Sequence, residues 1–382
     1  MDFNYRNTTQ LFFTKNLVEE LDAFVKSNNF HKVLVITGGP ATTKIAHEIC
    51  CGLTVEHKMV AGVQSNPLAE TVEEMTRQAK QFAPDLILTV GGGSVHDTGK
   101  AVAFMYHNDA NNHVRDYSVT GKLGGTGIQK VLPLITVPTL FGSGAEVSPA
   151  ALLRIGNQKH VIVSTLLHPL ASFVNTDYTK SLSKTDLSRS AFDAFVQALE
   201  GFISTNSNNI SNSFAKIALE CYNACLPSLI AGVYTNDVLE KLAISSIFSS
   251  YVCSTSGVGA IHAISQPMSG WFDVHHGTAL AMIATDVLQK NLCATNRQKL
   301  DELDAVLSAL SSDKHNAQER VLEKIATMID KLGLLRGVSA TKVSKEILVS
   351  MVNDSINGDM VGNPYEFSKD EIRIVLGKWY EA

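Results

Sequence analysis

The sequence has no CxxC pair, no block of like charge and no uninterrupted apolar stretch long enough to cross a bilayer. Its cysteines, Cys50, Cys51, Cys221, Cys225, Cys253 and Cys293, are scattered, which excludes a disulfide framework or a zinc ribbon and leaves reduced thiols. There are 32 basic and 37 acidic residues, for a net charge of -5, and no basic helix stands out. Nucleic acid and anionic membrane are therefore excluded as partners. The first residues, Met1 to Arg6, lack a basic segment followed by an apolar run, so no signal peptide is expected. The most apolar run, Val131 to Leu140, is short and holds two prolines, which makes it a buried strand. A soluble cytoplasmic protein is the expectation.

What is present is a chain of 382 residues, 45% of them hydrophobic, long enough for two domains with a core each. The first half alternates short β-branched runs with amphipathic segments. Strands are expected at Lys32 to Thr37, Thr54 to Val63 and Asp85 to Val90, and helices at Ala41 to Cys51, Leu68 to Phe82 and Val95 to Tyr106. Near-continuous apolar strands between helices predict a parallel, Rossmann-like sheet covered on both faces. From about Lys184 onward the periodicity is helical almost throughout, at Leu187 to Ser204, Asn212 to Ala231, Val238 to Ser254, His262 to Gly270, Thr278 to Gln289 and Gln318 to Leu332. An α/β domain over 1–180 and an all-α domain over 181–382 are expected, with the boundary near Thr176 to Ser183. The Asn- and Ser-rich segment Ser204 to Ser213 reads as an exposed loop or helix end.

Two glycine-rich loops carry the chemistry of the first half. Gly91-Gly92-Gly93-Ser94 joins a strand to a helix. Glycine lets backbone approach a pyrophosphate, the helix N-terminus offers free N–H groups, and Ser94 adds a hydroxyl. This is neither GxGxxG nor a Walker A motif, and a tight turn is the plain alternative. The second loop, Val137 to Glu146, interleaves hydroxyls and glycines after another apolar strand, which suits contacts to a ribose or a carboxamide. Two such loops at strand ends favour a dinucleotide site.

These motifs, GGGS-x-x-D-x-x-K over Gly91 to Lys100 and PT-x-x-GSGAE over Pro138 to Glu146, resemble the group III, iron-containing alcohol dehydrogenases. Asn66-Pro67, Asp193-Ala194 with Glu200, Gly259 to His262, His276-Gly277 and Asn363-Pro364 are similar to further family segments, in the same order. The resemblance implies a dehydroquinate synthase-like architecture, with a dinucleotide-binding domain, a helical metal domain and an active site between them. Carried over position by position, it assigns cofactor contacts to Gly38, Gly39, Asn66, Gly91, Gly92, Gly93, Ser94, Asp97, Thr139, Leu140, Ser143 and Leu182. It also implies a homodimer through the N-terminal domain.

Asp193 and Gln197 stand at i, i+4 on one predicted helix and share a face, while His262 and His276 lie on later segments. A carboxylate with imidazoles suits Zn²⁺ or Fe²⁺, but only the resemblance brings Asp193, Gln197, His262 and His276 to one site. Iron-type members have a histidine where this chain has Gln197. The remaining Asp193, His262 and His276 resemble the set of the zinc glycerol dehydrogenases, so zinc is expected over iron. A second family histidine, four residues after His262, is Gln266 here, and His275 is the candidate to replace it in proton relay. The end of the first strand, Ile36-Thr37-Gly38-Gly39, lacks the acid that binds a ribose hydroxyl in NAD-preferring members, so NADP(H) is expected over NAD(H). Thr37 and the Gly38 and Gly39 amides are read as a welcome for the added phosphate.

The implied reaction is reversible oxidation of a small polar alcohol to an aldehyde or ketone, with the metal polarising oxygen and hydride passing to nicotinamide. The alternatives are a sugar-phosphate cyclase of the same superfold, which needs several basic residues where only Arg189 lies close to Asp193, and a non-catalytic dinucleotide-binding protein. Trp271, Phe272 and Phe195 read either as pocket or as core.

Overall fold

In β2 (Lys32–Thr37) and β4 (Leu86–Gly91) the side chains alternate between two buried faces, the pattern of a strand covered from both sides. A computed structural model describes residues 5–108, 112–308, 310 and 316–381. The chain divides into two compact units. The α/β unit holds Arg6–Leu140 and Gly144–Ser181; the helical unit holds Leu182–Ala382 with Phe141–Ser143 and the N-terminal residues through Tyr5.

In the α/β unit the strands are β1 (Gln10–Phe13), β2, β3 (Glu56–Val60), β4, β5 (Leu134–Pro138), the hairpin β6 (Ala150–Ile155) and β7 (Gln158–Val163), and β8 (Ala171–Val174). The helices are α1 (Leu17–Ser27), α2 (Pro40–Gly52), α3 (Ala69–Phe82) and α4 (Gly93–Met105). Six strands form one sheet in the order β1-β8-β5-β4-β2-β3, every pair parallel. Val33, Val35, Leu86, Leu88 and Val90 pack with α1 and α2 on one face. Leu34, Ile36 and Ile87 pack with α3 and α4 on the other. Strand order reverses between β2 and β4, so the C-terminal ends of these two strands open the crevice where such sheets bind ligands.

In the helical unit the elements are α5 (Lys184–Ile203), α6 (Asn209–Ala231), α7 (Asn236–Ser256), α8 (Ala260–Phe272), α9 (His276–Ala294), α10 (Arg297–Val306), α11 (Ala317–Leu332), α12 (Lys345–Asp354) and α13 (Lys369–Gly377), with a small pair of strands, β9 (Thr341–Lys342) and β10 (Tyr380–Glu381). Buried α5 is the hub, packing against α6, α7 and α9. Phe195 is fully buried against Phe192 and Tyr222, which settles it as core. Phe272 stacks on Tyr380 at 4.8 Å, and Trp271 donates its indole N–H to Asp354 at 3.1 Å. Among the described residues no single helix is long and apolar enough to cross a membrane. The six cysteines are free thiols.

The segment Ser204 to Ser213 is a helix end, the second of the two expectations for it. Ser204, Asn208 and Ser211 are buried, because Asn208 and Ser211 form the capping box that starts α6 and Ser204 bonds to the Ser256 carbonyl. Polar composition there marks a helix start, with Thr205, Asn206 and Asn209 exposed beside the buried cap.

Candidate active site

At the C-terminal ends of β2, β4 and β5 the glycines of the α/β unit come together. Thr37 pairs with Val90, and Gly91 pairs with Pro138. Gly91 is required by packing, since a Cβ there would lie 2.5 Å from Val95 Cγ2. Gly92 is not: a Cβ on it would meet nothing nearer than Leu140 at 3.7 Å, and Gly39 has open space. Gly92 starts α4 with no side-chain cap, which leaves the first-turn N–H groups at Gly93 and Ser94 to an outside acceptor. An uncapped helix end with room where a side chain would stand fits a pyrophosphate. Thr139 is buried and donates its backbone N–H to the Gly91 carbonyl, with Leu140 beside it. Asn66, after β3, takes a left-handed conformation at φ 52°.

Two expected phosphate donors turn inward. The Thr37 hydroxyl is fully buried and donates to the Val90 carbonyl, and the Gly38 N–H donates to Thr42 Oγ1. The Thr37 part of the expected welcome is thus corrected, because that hydroxyl closes the gap between two strands. Asp97 and Lys100 are also buried. Asp97 accepts the Leu152 N–H, and Lys100 donates to Ser148 and to the Ala150 carbonyl. Burial pushes Asp97 up to about 6 against the pull of Lys100, and pushes Lys100 down to about 8 against that of Asp97 and Glu146. The two side chains tie α4 to β6. Ser143 and Leu182 belong to the helical unit, where the Ser143 carbonyl accepts from Gln197 and Leu182 packs on the core.

In the helical unit Asp193 of α5, His262 of α8 and His276 at the start of α9 place their ligand atoms within 4.8 Å of one another. Asp193 Oδ1 is 3.4 Å from His262 Nε2 and 3.7 Å from His276 Nε2. The other nitrogen of His262 is 2.6 Å from Glu200 Oε2. Glu200 lies seven residues after Asp193, on the same face of α5, and is buried. It accepts Nδ1–H, which fixes the ring and leaves Nε2 as the nitrogen facing Asp193. Burial works against protonation of His262, but hydrogen bonds to Asp193 and Glu200 outweigh it and raise its pKa to about 10, so the pocket draws positive charge. That is the environment a divalent cation needs.

Glu200 also accepts the N–H of Ile261, and Asn363 Oδ1 accepts that of Ala260. The two acceptors cap the start of α8, and Gly259 is glycine because a Cβ there would lie 2.7 Å from Asn363 and 2.8 Å from Glu200. Gln197 is buried one turn beyond Asp193, with its amide oxygen accepting from Ser249 and its amide N–H donating to the Ser143 carbonyl. Gln266, one turn beyond His262, donates to the carboxylate of Asp359. Burial raises Asp359 to about 6, with Glu200 adding to the shift and His262 opposing it. His275 caps α9 through its backbone carbonyl. The roles of Glu200, Ser249, Asn363 and Asp359 escaped sequence reasoning. Glu200 and Asn363 stood in family-like segments with no role attached, and Glu200 had a further signal in its two-turn spacing from Asp193.

Comparison with known proteins agrees with this geometry. The iron-containing alcohol dehydrogenase family matches residues 8–176, and the C-terminal part of the Fe-containing alcohol dehydrogenase family matches 188–380. Long-chain-alcohol dehydrogenase 1 of Geobacillus thermodenitrificans is 25% identical over 375 residues, covering 96% of this chain and 92% of the relative. The 4-hydroxybutyrate dehydrogenase of Clostridium kluyveri is 25% identical over 322 residues, covering 82% of this chain and 84% of that one. A halo-thermophilic archaeal alcohol dehydrogenase from a Red Sea brine pool has the same fold, with a TM-score of 0.88, 21% identity and 99% of each chain covered. The chain belongs to the iron-containing alcohol dehydrogenase family and is an oxidoreductase acting on CH–OH groups.

Proposed function

We propose that the chain reversibly interconverts a small polar alcohol and its aldehyde or ketone, with a nicotinamide dinucleotide as hydride partner and one divalent ion held by Asp193, His262 and His276. One observation carries this reading: ligand atoms from three helices converge within 4.8 Å, and Glu200 already fixes the His262 ring. A bound ion supplies Lewis acidity toward an alcohol or carbonyl oxygen, and the nicotinamide supplies the hydride acceptor or donor. The chain supplies orientation and charge. Glu200 holds the Nδ1 proton of His262 and makes its remote nitrogen a better donor atom. The uncapped start of α4, with Gly91 to Ser94 and the neighbouring Gly39, Thr139 and Leu140, takes the dinucleotide's phosphates and ribose. Asp97 supports that loop through β6, while Asn66, Ser143 and Leu182 complete the assigned contacts. His275, and Gln266 held by Asp359, are the groups assigned to proton traffic.

We read zinc in preference to iron, because one carboxylate and two imidazoles make a three-ligand set with an open position and the Gln197 oxygen is already engaged by Ser249. NADP(H) is kept over NAD(H), since Gly38-Gly39 sets no carboxylate against a 2′-phosphate. With Thr37 and Gly38 donors turned inward, that preference rests on charge. A cytoplasmic homodimer is part of the reading, supported by exposed Leu11 and Phe13 on β1, at the edge of the sheet. Stripping the protein with chelator and restoring zinc should switch aldehyde reduction off and on. No turnover of any aldehyde or alcohol by fully metal-loaded protein with either dinucleotide contradicts the reading. Fluorescence titration should show tighter binding of NADPH than of NADH.

A further inference from the structure

One cation beside the metal set has no role in the reaction described so far. Arg189 lies on α5 one turn before Asp193, so the two residues share a face of the helix. Its backbone also meets the third ligand's segment. A Cβ on Gly277, the residue after His276, would lie 2.1 Å from the Arg189 carbonyl oxygen. Arg189 therefore borders the site both along α5 and across to α9.

Two carboxylates stand within helical reach of its guanidinium, and neither pairs with it. Asp186, three residues earlier, accepts from the Ser183 hydroxyl at 2.7 Å. Asp193, four residues later, faces His262 and His276. Arg189 Nε is shut off from solvent with no hydrogen-bond acceptor, and no ion pair to the guanidinium occurs among the described residues. A guanidinium is always charged, and a buried N–H without an acceptor is costly. Other cations on or against α5 find acceptors. Lys184 donates to the Ile230 carbonyl, and Lys299 finds three oxygen acceptors. The planar fork of Arg189, half-buried beside the ligand set, matches an oxyanion group that the chain itself does not provide.

We propose that Arg189 is a specificity-determining residue, and that the substrate is an alcohol or aldehyde carrying a carboxylate, sulfonate or phosphonate group. This rests on the dehydrogenase reading above, to which it adds the substrate class. The anionic end pairs with Arg189 while the carbinol or carbonyl end is presented to the ligand set.

The test compares holoenzyme and its Arg189→Met and Arg189→Lys variants on 4-oxobutanoate, sulfoacetaldehyde and phosphonoacetaldehyde, each against a neutral aldehyde of like length. The readout is the ratio of kcat/KM for the anionic over the neutral substrate, in which folding defects and changed cofactor affinity cancel. The wild type should favour at least one anionic aldehyde. Arg189→Met should lower that ratio on the order of 100-fold, the loss of a charged hydrogen-bonded pair, and Arg189→Lys should restore part of it. The head group with the largest drop identifies the anion. An unchanged ratio overturns the proposal, as does a wild type that favours every neutral aldehyde. Calorimetric binding of 4-hydroxybutanoate, 2-hydroxyethanesulfonate and 2-hydroxyethylphosphonate to the zinc-loaded protein separates the two readings if no aldehyde is reduced. Binding of any of them that disappears in Arg189→Met upholds the anion site without the reaction, and no binding, or equal binding by the variant, overturns it.

Discussion

At the scale of single residues, Glu200 does two jobs with one carboxylate. It accepts the Nδ1 proton of His262 and the N–H of Ile261, so the same side chain sets a ligand's tautomer and caps the helix that carries it. Glu200→Ala is expected to weaken divalent-metal affinity by roughly 10- to 100-fold, the usual cost of losing a partner behind a ligating histidine. Competition against a fluorescent zinc chelator measures it, and unchanged affinity would remove Glu200 from the account. The residues behind this prediction were legible to different degrees. Asp193, His262 and His276 are far apart in sequence, and no spacing rule joins them; motif order did. Glu200 shares a face of α5 with Asp193, which periodicity could expose. Asp359 and Ser249 reach Gln266 and Gln197 only through tertiary packing, and nothing local in the chain announces them.

At the scale of elements, strands buried on both faces were the easiest to find, because continuous β-branched runs have few other uses. The Lys32 to Thr37 run is β2 with the same bounds. The hairpin β6–β7 was not seen, since its strands are half-buried and include Arg154, Lys159 and His160, which blur the alternation. Helix α8 carries an internal proline, Pro267, whose missing N–H leaves the Ala263 carbonyl without its helical donor. Asn357 donates to that carbonyl at 3.5 Å, and its own oxygen accepts the Asp359 N–H, so the break in the helix helps seat Asp359 against Gln266. At the other end of the chain, the capping box of α13 yields a pH prediction. The Ser368 N–H, the Tyr365 hydroxyl and the Ser368 hydroxyl hold the Glu371 carboxyl at about 2, below its ordinary value of 4.5. A depressed acid stabilises the fold fully above its unfolded value and loses that contribution as pH falls through the folded one. The stability advantage of wild type over Glu371→Gln should therefore shrink between about pH 4.5 and about pH 2. Chemical denaturation across that range checks it, and a constant difference would contradict it.

At the scale of the whole molecule, the chain joins a six-stranded parallel sheet to an all-helical unit, and the change in periodicity near Lys184 announced that architecture. The crevice between the ends of β2 and β4 was legible because glycines cluster where strands stop. Its selectivity was less so, since the inward turn of the Thr37 hydroxyl depends on a neighbouring strand. On the reading proposed above, the centre is the set Asp193, His262 and His276, with the neutral Gln197 and Gln266 one turn beyond Asp193 and His262. Elemental analysis of the purified protein tests that centre most directly, run beside His262→Ala and Asp193→Ala variants that retain their fold by circular dichroism. About one divalent ion per chain in the wild type, lost in both variants, is the predicted result for a three-ligand catalytic site. A wild type that holds no divalent ion after growth and loading with zinc or iron, or variants that hold as much as the wild type, would contradict the account.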